Sequence, residues 1–243
     1  MSFLIGAIKI IFLLGFLILI HEGGHFCVAK LCKVNVREFS IGFGPQIHSW
    51  QGKETKYTIR WIPFGGYVDM LGEAERDNSE GSFSRASVQK RLAIVVAGAT
   101  VNIVFGLIVF FILIIIAKHD FMFAIRQTGL FIVDIFNSIK LIFTGNLNVE
   151  QMVGPVGISE MVVKTNGLFN FIYLMSLVSV SLGVTNLLPI PALDGGKIVI
   201  LLIEWIRKKP LKEEVEIKIQ MTGFTLLLLF SLYVTYQDIL RIF

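Results

Sequence analysis

Residues 3–25 read FLIGAIKIIFLLGFLILIHEGGH. The run from Phe3 to Ile20 holds one charge, Lys9. As a helix it rises about 27 Å, most of a bilayer's hydrocarbon core. Lys9 lies in its outer half and can snorkel to the surface. The run passes without a break into His21-Glu22-Gly23-Gly24-His25. Residues four apart share a helix face, so both imidazoles can meet one divalent cation. Glu22 sits about 60° from His25 around the helix, where it can take a proton from a metal-bound water. Groups of this kind are costly at the end of an apolar run and normally functional. The plainer alternative is two interfacial histidines beside a snorkelled glutamate.

The rest of the chain agrees with a membrane setting. Of 243 residues, 54% are hydrophobic and only 16% charged, and 21 are Phe. A soluble domain carries about a quarter charged residues. Mean hydropathy is +0.74. Disorder, a coiled coil and a disulfide scaffold are excluded. The net charge of +4 does not indicate nucleic acid, because the cations sit in short segments between apolar runs. Cys27 and Cys32 fall on different helix faces and are expected to be buried free thiols. The first apolar run has no small-residue cleavage site, so no cleavable signal peptide is expected.

Further apolar runs cover 92–117, 168–188 and 221–236, with a shorter one at 198–206. Lys and Arg set the orientation. Segments 30–91 and 207–220 hold ten and five, against four in 118–167. The first two are therefore cytoplasmic, and four crossings leave both termini outside. Within 121–147, Asp134, Asn137 and Lys140 recur at helical spacing. That pattern suggests an amphipathic helix at the outer interface, with a fifth crossing as the alternative. Residues 47–62 read as a cytoplasmic hairpin whose four-residue turn starts at Gln51 and whose end is marked by Pro63-Phe64-Gly65-Gly66. The expected fold is a single membrane all-α domain over 1–243 with a small β element. Its helices cover about 3–29, 92–117, 168–188 (broken at 189–196) and 221–240.

A catalytic metal needs a third protein ligand and an open position. His119 falls on the outer side, and His48 lies in the hairpin. Asp194 is better placed. It is the one acid between Glu160 and Glu204 and sits in Asn186-Leu-Leu-Pro-Ile-Pro-Ala-Leu-Asp194-Gly195-Gly196, just before the second cytoplasmic charge cluster. Prolines and glycines there permit unwound backbone, tolerated in a membrane where it lines a wet cavity. A helix cap is the local alternative for Asp194. Asn186, eight residues earlier, is the candidate substrate-binding residue. Asn102 reads as an interhelical hydrogen-bonding group, and Gly98 as a close-packing position. The ligand types favour zinc, although a His2Asp set also suits other divalent ions.

These motifs together resemble the site-2 protease family of intramembrane zinc metalloproteases, in its bacterial regulator-of-sigma-E protease branch. Gly42-Phe43-Gly44-Pro45, the strand segment through Pro63-Phe64-Gly65-Gly66-Tyr67, and Gly154-Pro155-Val156-Gly157-Ile158 extend the likeness over nearly the whole chain. Two departures stand out. Branch members usually carry an extracytoplasmic PDZ domain after the second membrane helix; here Lys118-His119-Asp120 alone separates Ala117 from Phe121. The family often has Gly-Pro in that helix; here Gly98 is followed by Ala99.

The resemblance implies hydrolysis of peptide bonds within or near transmembrane segments, with Zn²⁺ on His21, His25 and Asp194 and Glu22 as base. It implies a bacterial cytoplasmic membrane protein with its site toward the cytoplasm. Substrates would be single-pass membrane proteins such as anti-sigma factors or signal-peptide remnants, with the lipid bilayer as a further partner. The hairpin 47–62 either offers a strand edge to an unwound substrate or simply packs at the membrane surface. The competing function is a non-catalytic zinc-binding membrane protein or transporter, which has no need of Glu22.

Overall fold

The computed structural model describes residues 2–144 and 153–242. In chain order the elements are α1 (Ser2–Leu31), β1 (Val36–Gln51), β2 (Lys56–Met70), α2 (Val88–Lys118), α3 (Phe121–Thr144), α4 (Pro155–Lys164), α5 (Leu168–Asn186), α6 (Asp194–Arg207) and α7 (Glu213–Ile242). Among the described residues four helices are long and apolar enough to cross a membrane: Leu4–Leu31, Val88–Lys118, Leu168–Asn186 and Glu213–Arg241. The fold is a membrane all-α bundle with a small β element.

The spanning helices approach closely where side chains are small. A Cβ on Gly106 would lie 2.6 Å from the Ser176 carbonyl oxygen, and one on Gly183 2.6 Å from that of Ala99. The α2–α5 contact is thus built on glycine, as lipid-embedded packing favours. The Ser179 hydroxyl donates to the Asn102 carbonyl at 2.8 Å across it. Leu13 and Leu17 of α1, Val162 of α4 and Leu174 of α5 form one buried cluster. A second joins Ala29, Val36, Val68, Ile94 and Leu201, tying α1, the sheet, α2 and α6 together.

The sheet is longer than residues 47–62. β1 and β2 each fold back, so that Phe39 faces Val68 on one side and Tyr57 on the other; 36–41 runs antiparallel to 66–70 and 46–51 to 56–60, while 38–41 and 56–59 advance in the same direction. Across the sheet the segments run 66–70, 36–41, 56–59, 46–51. Pro63-Phe64-Gly65-Gly66 is therefore a bend within β2 and not its end. Gly65 takes φ 134°, open mainly to glycine, and the chain returns to pair again.

α3 follows α2 after two residues, and its final stretch 145–147 in the sequence reading lies outside the described residues. Phe121 packs on Phe111 and Phe131 on Phe110, with ring centroids 5.7 and 4.7 Å apart. Ten residues of α3, about 15 Å, thus meet two neighbouring residues of α2. α3 is not one of the four spanning candidates. The cysteines are free, but Cys27 is exposed and Cys32 half-buried, which corrects the expectation of buried thiols. Lys9 does not merely snorkel: its amine donates to the Thr165 carbonyl at 2.8 Å, at the end of α4.

The start of α4 is held from α7. Its N-cap, Gly154, offers no side chain. The carboxyl oxygens of Asp238, 1% exposed, accept from the Gly154 and Gly157 amides at 3.2 and 2.8 Å instead. This supplies from a distant helix what a capping side chain supplies locally. Asp238→Ala orphans two buried donors at about 1–3 kcal/mol each. Thermal unfolding in detergent is expected to show a destabilisation of roughly 2–6 kcal/mol, whereas Glu160→Ala, on the exposed Lys164 pair, leaves the midpoint within about a degree.

Candidate metal centre

α1 and α2 meet at two glycines. A Cβ on Gly24 would lie 2.8 Å from the Ala97 carbonyl oxygen, and one on Gly98 2.3 Å from His25 Nε2. With no side chain there, the His25 ring sits directly against α2. Its Nδ1 lies 2.8 Å from the Ile94 carbonyl oxygen. That oxygen also faces the helical partner four residues on, Gly98, and bare Gly98 leaves its second lone pair open. A carbonyl can only accept, so His25 carries its proton on Nδ1 and turns a bare Nε2 inward.

His21, one turn earlier, brings its own Nε2 to 3.2 Å from that of His25. The third group comes from the far end of the chain. After α5, residues 187–193 turn sharply, with Ala192 at φ 75° and its amide donating to Gln220 Oε1 of α7 at 2.6 Å. Gly195 and Gly196 then pack into that turn: added Cβ atoms would lie 2.1 Å from the Leu188 carbonyl oxygen and 2.4 Å from that of Ile190. So α6 can begin at Asp194, whose carboxylate sits at a favourable helix N-terminus. Its Oδ2 is 3.3 Å from His21 Nε2 and 3.4 Å from His25 Nε2.

The three atoms form a nearly equilateral triangle. The edge of a tetrahedron is about 1.63 times its centre-to-vertex distance, so edges of 3.2–3.4 Å correspond to ligand bonds of about 2.0 Å, the length zinc makes to nitrogen and oxygen. Asp194 Oδ2 is buried and makes no hydrogen bond of acceptable geometry. Burial pushes the Asp194 carboxyl up, and His21 and His25 in their protonated form outweigh this and hold it below its ordinary range, so it is anionic at neutral pH. A buried anionic oxygen between two inward-facing nitrogens fits a cation. Among the described residues this is the one such cluster of His, Cys, Asp or Glu.

Glu22 lines the same cavity as these three, a space of about 740 Å³. Gly66, Tyr67, Val68 and Met70 form one wall. The sheet edge beside the cluster is therefore segment 66–70. Segment 46–51 is the opposite edge. The expectation for the hairpin 47–62 shifts accordingly. Asn186 closes α5, half-buried, and is not among the residues that line the cavity. His48 pairs with Ile59 in the sheet, and His119 ends α2, about 37 Å along the helix from Ile94. Two residues passed over in the sequence also line the cavity: Lys197 and Glu73 form an ion pair between α6 and the segment after β2. Lys197 lies one turn beyond Asp194, a spacing that marks it in retrospect.

Gly98→Ala puts a methyl group where His25 Nε2 stands. We expect bound zinc to fall at least tenfold in metal analysis of the purified protein. Gly129→Ala, in a place with nothing within 4 Å, leaves it unchanged.

Comparison with known proteins agrees with this geometry. The sequence pattern of peptidase family M50 matches residues 9–230. A Clostridium perfringens protein named as a zinc metalloprotease is 30% identical over 319 aligned positions, covering 92% of this chain and 95% of that protein. One from Clostridium acetobutylicum is 27% identical over 320, covering 93% and 94%. The zinc metalloprotease RasP of Shouchella clausii is 43% identical over 111 residues, 45% of this chain and 27% of that protein. A pattern matched over most of the chain, with a helical bundle that gathers a zinc-sized ligand triangle, leaves one conclusion: the chain belongs to peptidase family M50, the site-2 protease family, and is a zinc metalloendopeptidase.

Proposed function

We propose that this protein cleaves other membrane proteins within or beside their transmembrane segments, with its site toward the cytoplasmic face of a bacterial cell membrane. The carrying observation is the ligand triangle at the end of an apolar spanning helix. In this reading His21, His25 and Asp194 hold the zinc. When bound, the metal polarises a water and lowers its pKa toward 7. The Glu22 carboxylate would take a proton from the attacking water as the water oxygen adds to the peptide carbonyl. As the C–N bond breaks, Glu22 returns the proton to the departing amine nitrogen. The new carboxyl group gives up the water's second proton to the amine, so the products are a carboxylate and an ammonium group.

A membrane helix hides its carbonyls in its own hydrogen bonds, so the substrate must unwind first. Segment 66–70, which walls the cavity, is the strand edge we assign to receive it. Asn186 contacts the substrate where α5 gives way to the turn. Anti-sigma factors and signal-peptide remnants are the substrate classes in view. α3 lies at the outer interface. The alignments run over 319 and 320 positions against 243 residues here. Those relatives hold internal sequence that this chain lacks, in keeping with a chain without a PDZ domain.

The direct test incubates the purified protein with a single-pass membrane substrate, with and without a chelator, and maps the cut by mass. Cleavage in the membrane segment that chelation abolishes is expected; a cut far from it contradicts the reading. His21→Ala, His25→Ala and Asp194→Ala should each lose most of the zinc. Glu22→Gln should keep the metal and lose about 10²–10⁴-fold in rate. Wild-type cleavage by Glu22→Gln removes it as the base. The link at Lys118–Asp120 is too short for a sieving domain, so between two substrates sharing a membrane segment, one with a folded outer domain, discrimination should be loosened but not lost. Strong rejection of the folded one means that another part of the chain sieves.

A further inference from the structure

Asn102 is 0% exposed, deep in an uncharged stretch of α2. Its Nδ2 lies 3.4 Å from His21 Nδ1, while its Oδ1 is buried with no hydrogen-bond partner. The two amide atoms are alike in size, and the hydrogen-bond network decides which faces the ring. With Nδ2 toward the ring, His21 Nδ1 must accept, and the ring proton sits on Nε2. That nitrogen points at His25 Nε2 and Asp194 Oδ2, so a proton there occupies the metal's side. A half-turn of the amide removes the conflict. Oδ1 then accepts from Nδ1–H, as the Ile94 carbonyl accepts from His25 Nδ1.

We propose that Asn102 is a positioning residue for His21: its side-chain carbonyl accepts the Nδ1 proton and keeps Nε2 bare for the metal. The inference rests on the reading of His21 as a zinc ligand. α2 then holds both histidines from behind, one through a backbone oxygen and one through a side chain. The Ser179 hydroxyl donates to the Asn102 backbone carbonyl at 2.8 Å, a contact between α2 and α5 that leaves the side-chain amide alone. If Asn102 only glued helices together, its loss would lower stability and leave zinc affinity alone.

The test is a competition titration of zinc against a chelator, with the full chain in detergent. Asn102→Leu, near in size but unable to accept, is expected to weaken zinc binding 10- to 100-fold, roughly the effect of losing such an outer partner. Asn102→Asp keeps an acceptor and is expected to stay within about threefold of wild type, far from the loss in Asn102→Leu. Ser179→Ala, which disturbs the same helix contact without touching the amide, should leave affinity unchanged. Wild-type affinity in Asn102→Leu, or equal losses in Leu and Asp, overturns the proposal. If Asn102→Leu does not fold, ¹⁵N-histidine spectra of the zinc-loaded wild type and Asn102→Asp decide. The stronger carboxylate acceptor should move the His21 Nδ1 proton downfield, and an unmoved resonance overturns the proposal. Full zinc in His21→Ala would instead remove the metal-site reading itself, which keeps the two failures apart.

Discussion

The closeness of α1 to α2 at Gly24 and Gly98 governs the rest of the site. Any side chain at either position would meet backbone or the His25 ring. Because both are bare, a histidine fits between the helices and reaches a backbone oxygen of its neighbour. In lipid, helices gain little from burying apolar surface against one another, so contact depends on close packing and interhelical hydrogen bonds. The same approach that brings the helices together therefore also orients an imidazole.

Asp194 reaches the cluster by a different restraint. Residues 187–193 leave the regular helix through local turn hydrogen bonds, the Ile190 amide donating to the Leu188 carbonyl at 2.6 Å and the Leu193 amide to that of Ile190 at 3.1 Å, and α7 braces the turn from outside. Gln220 of α7 takes the Ala192 amide, and a Cβ on Gly223 would lie 2.3 Å from Pro191 Cβ. Glycines 195 and 196 let α6 begin tight against that turn. Two helices supply the side chains of the cluster, and α2 and α7 set where those side chains stand. Most of the site's precision lies in residues with no metal-binding chemistry of their own.

This division explains what could be read in the sequence. Hydropathy runs mark the four spanning helices because a bilayer imposes length and composition directly. His21, Glu22 and His25 are legible because helical periodicity places them together, and Asp194 because an acid beside a broken helix has few other uses. The folding back of the sheet was not legible. It depends on pairing Phe39 with both Val68 and Tyr57, a non-local choice, and the proline and glycines that make the bend read equally well as an end. Asn102 showed only that a polar group in an apolar run needs a partner. The partner, 81 residues away, appears only when the helices are packed.

A protease in this setting must also bring water to a site at the end of an apolar helix. The cavity beside the cluster is lined by charged groups in pairs. Lys197 meets Glu73, and Arg91 meets Glu204 through both guanidinium nitrogens. Single buried charges would be costly, but mutual pairing lowers that cost while the walls stay wettable. The pairs also span elements: one joins α6 to the segment after β2, the other α6 to α2. α6 is therefore cross-linked on two sides within four turns of Asp194. The groups that keep the cavity polar also hold fast the helix that presents Asp194, so wetting the site and rigidifying it come from the same contacts.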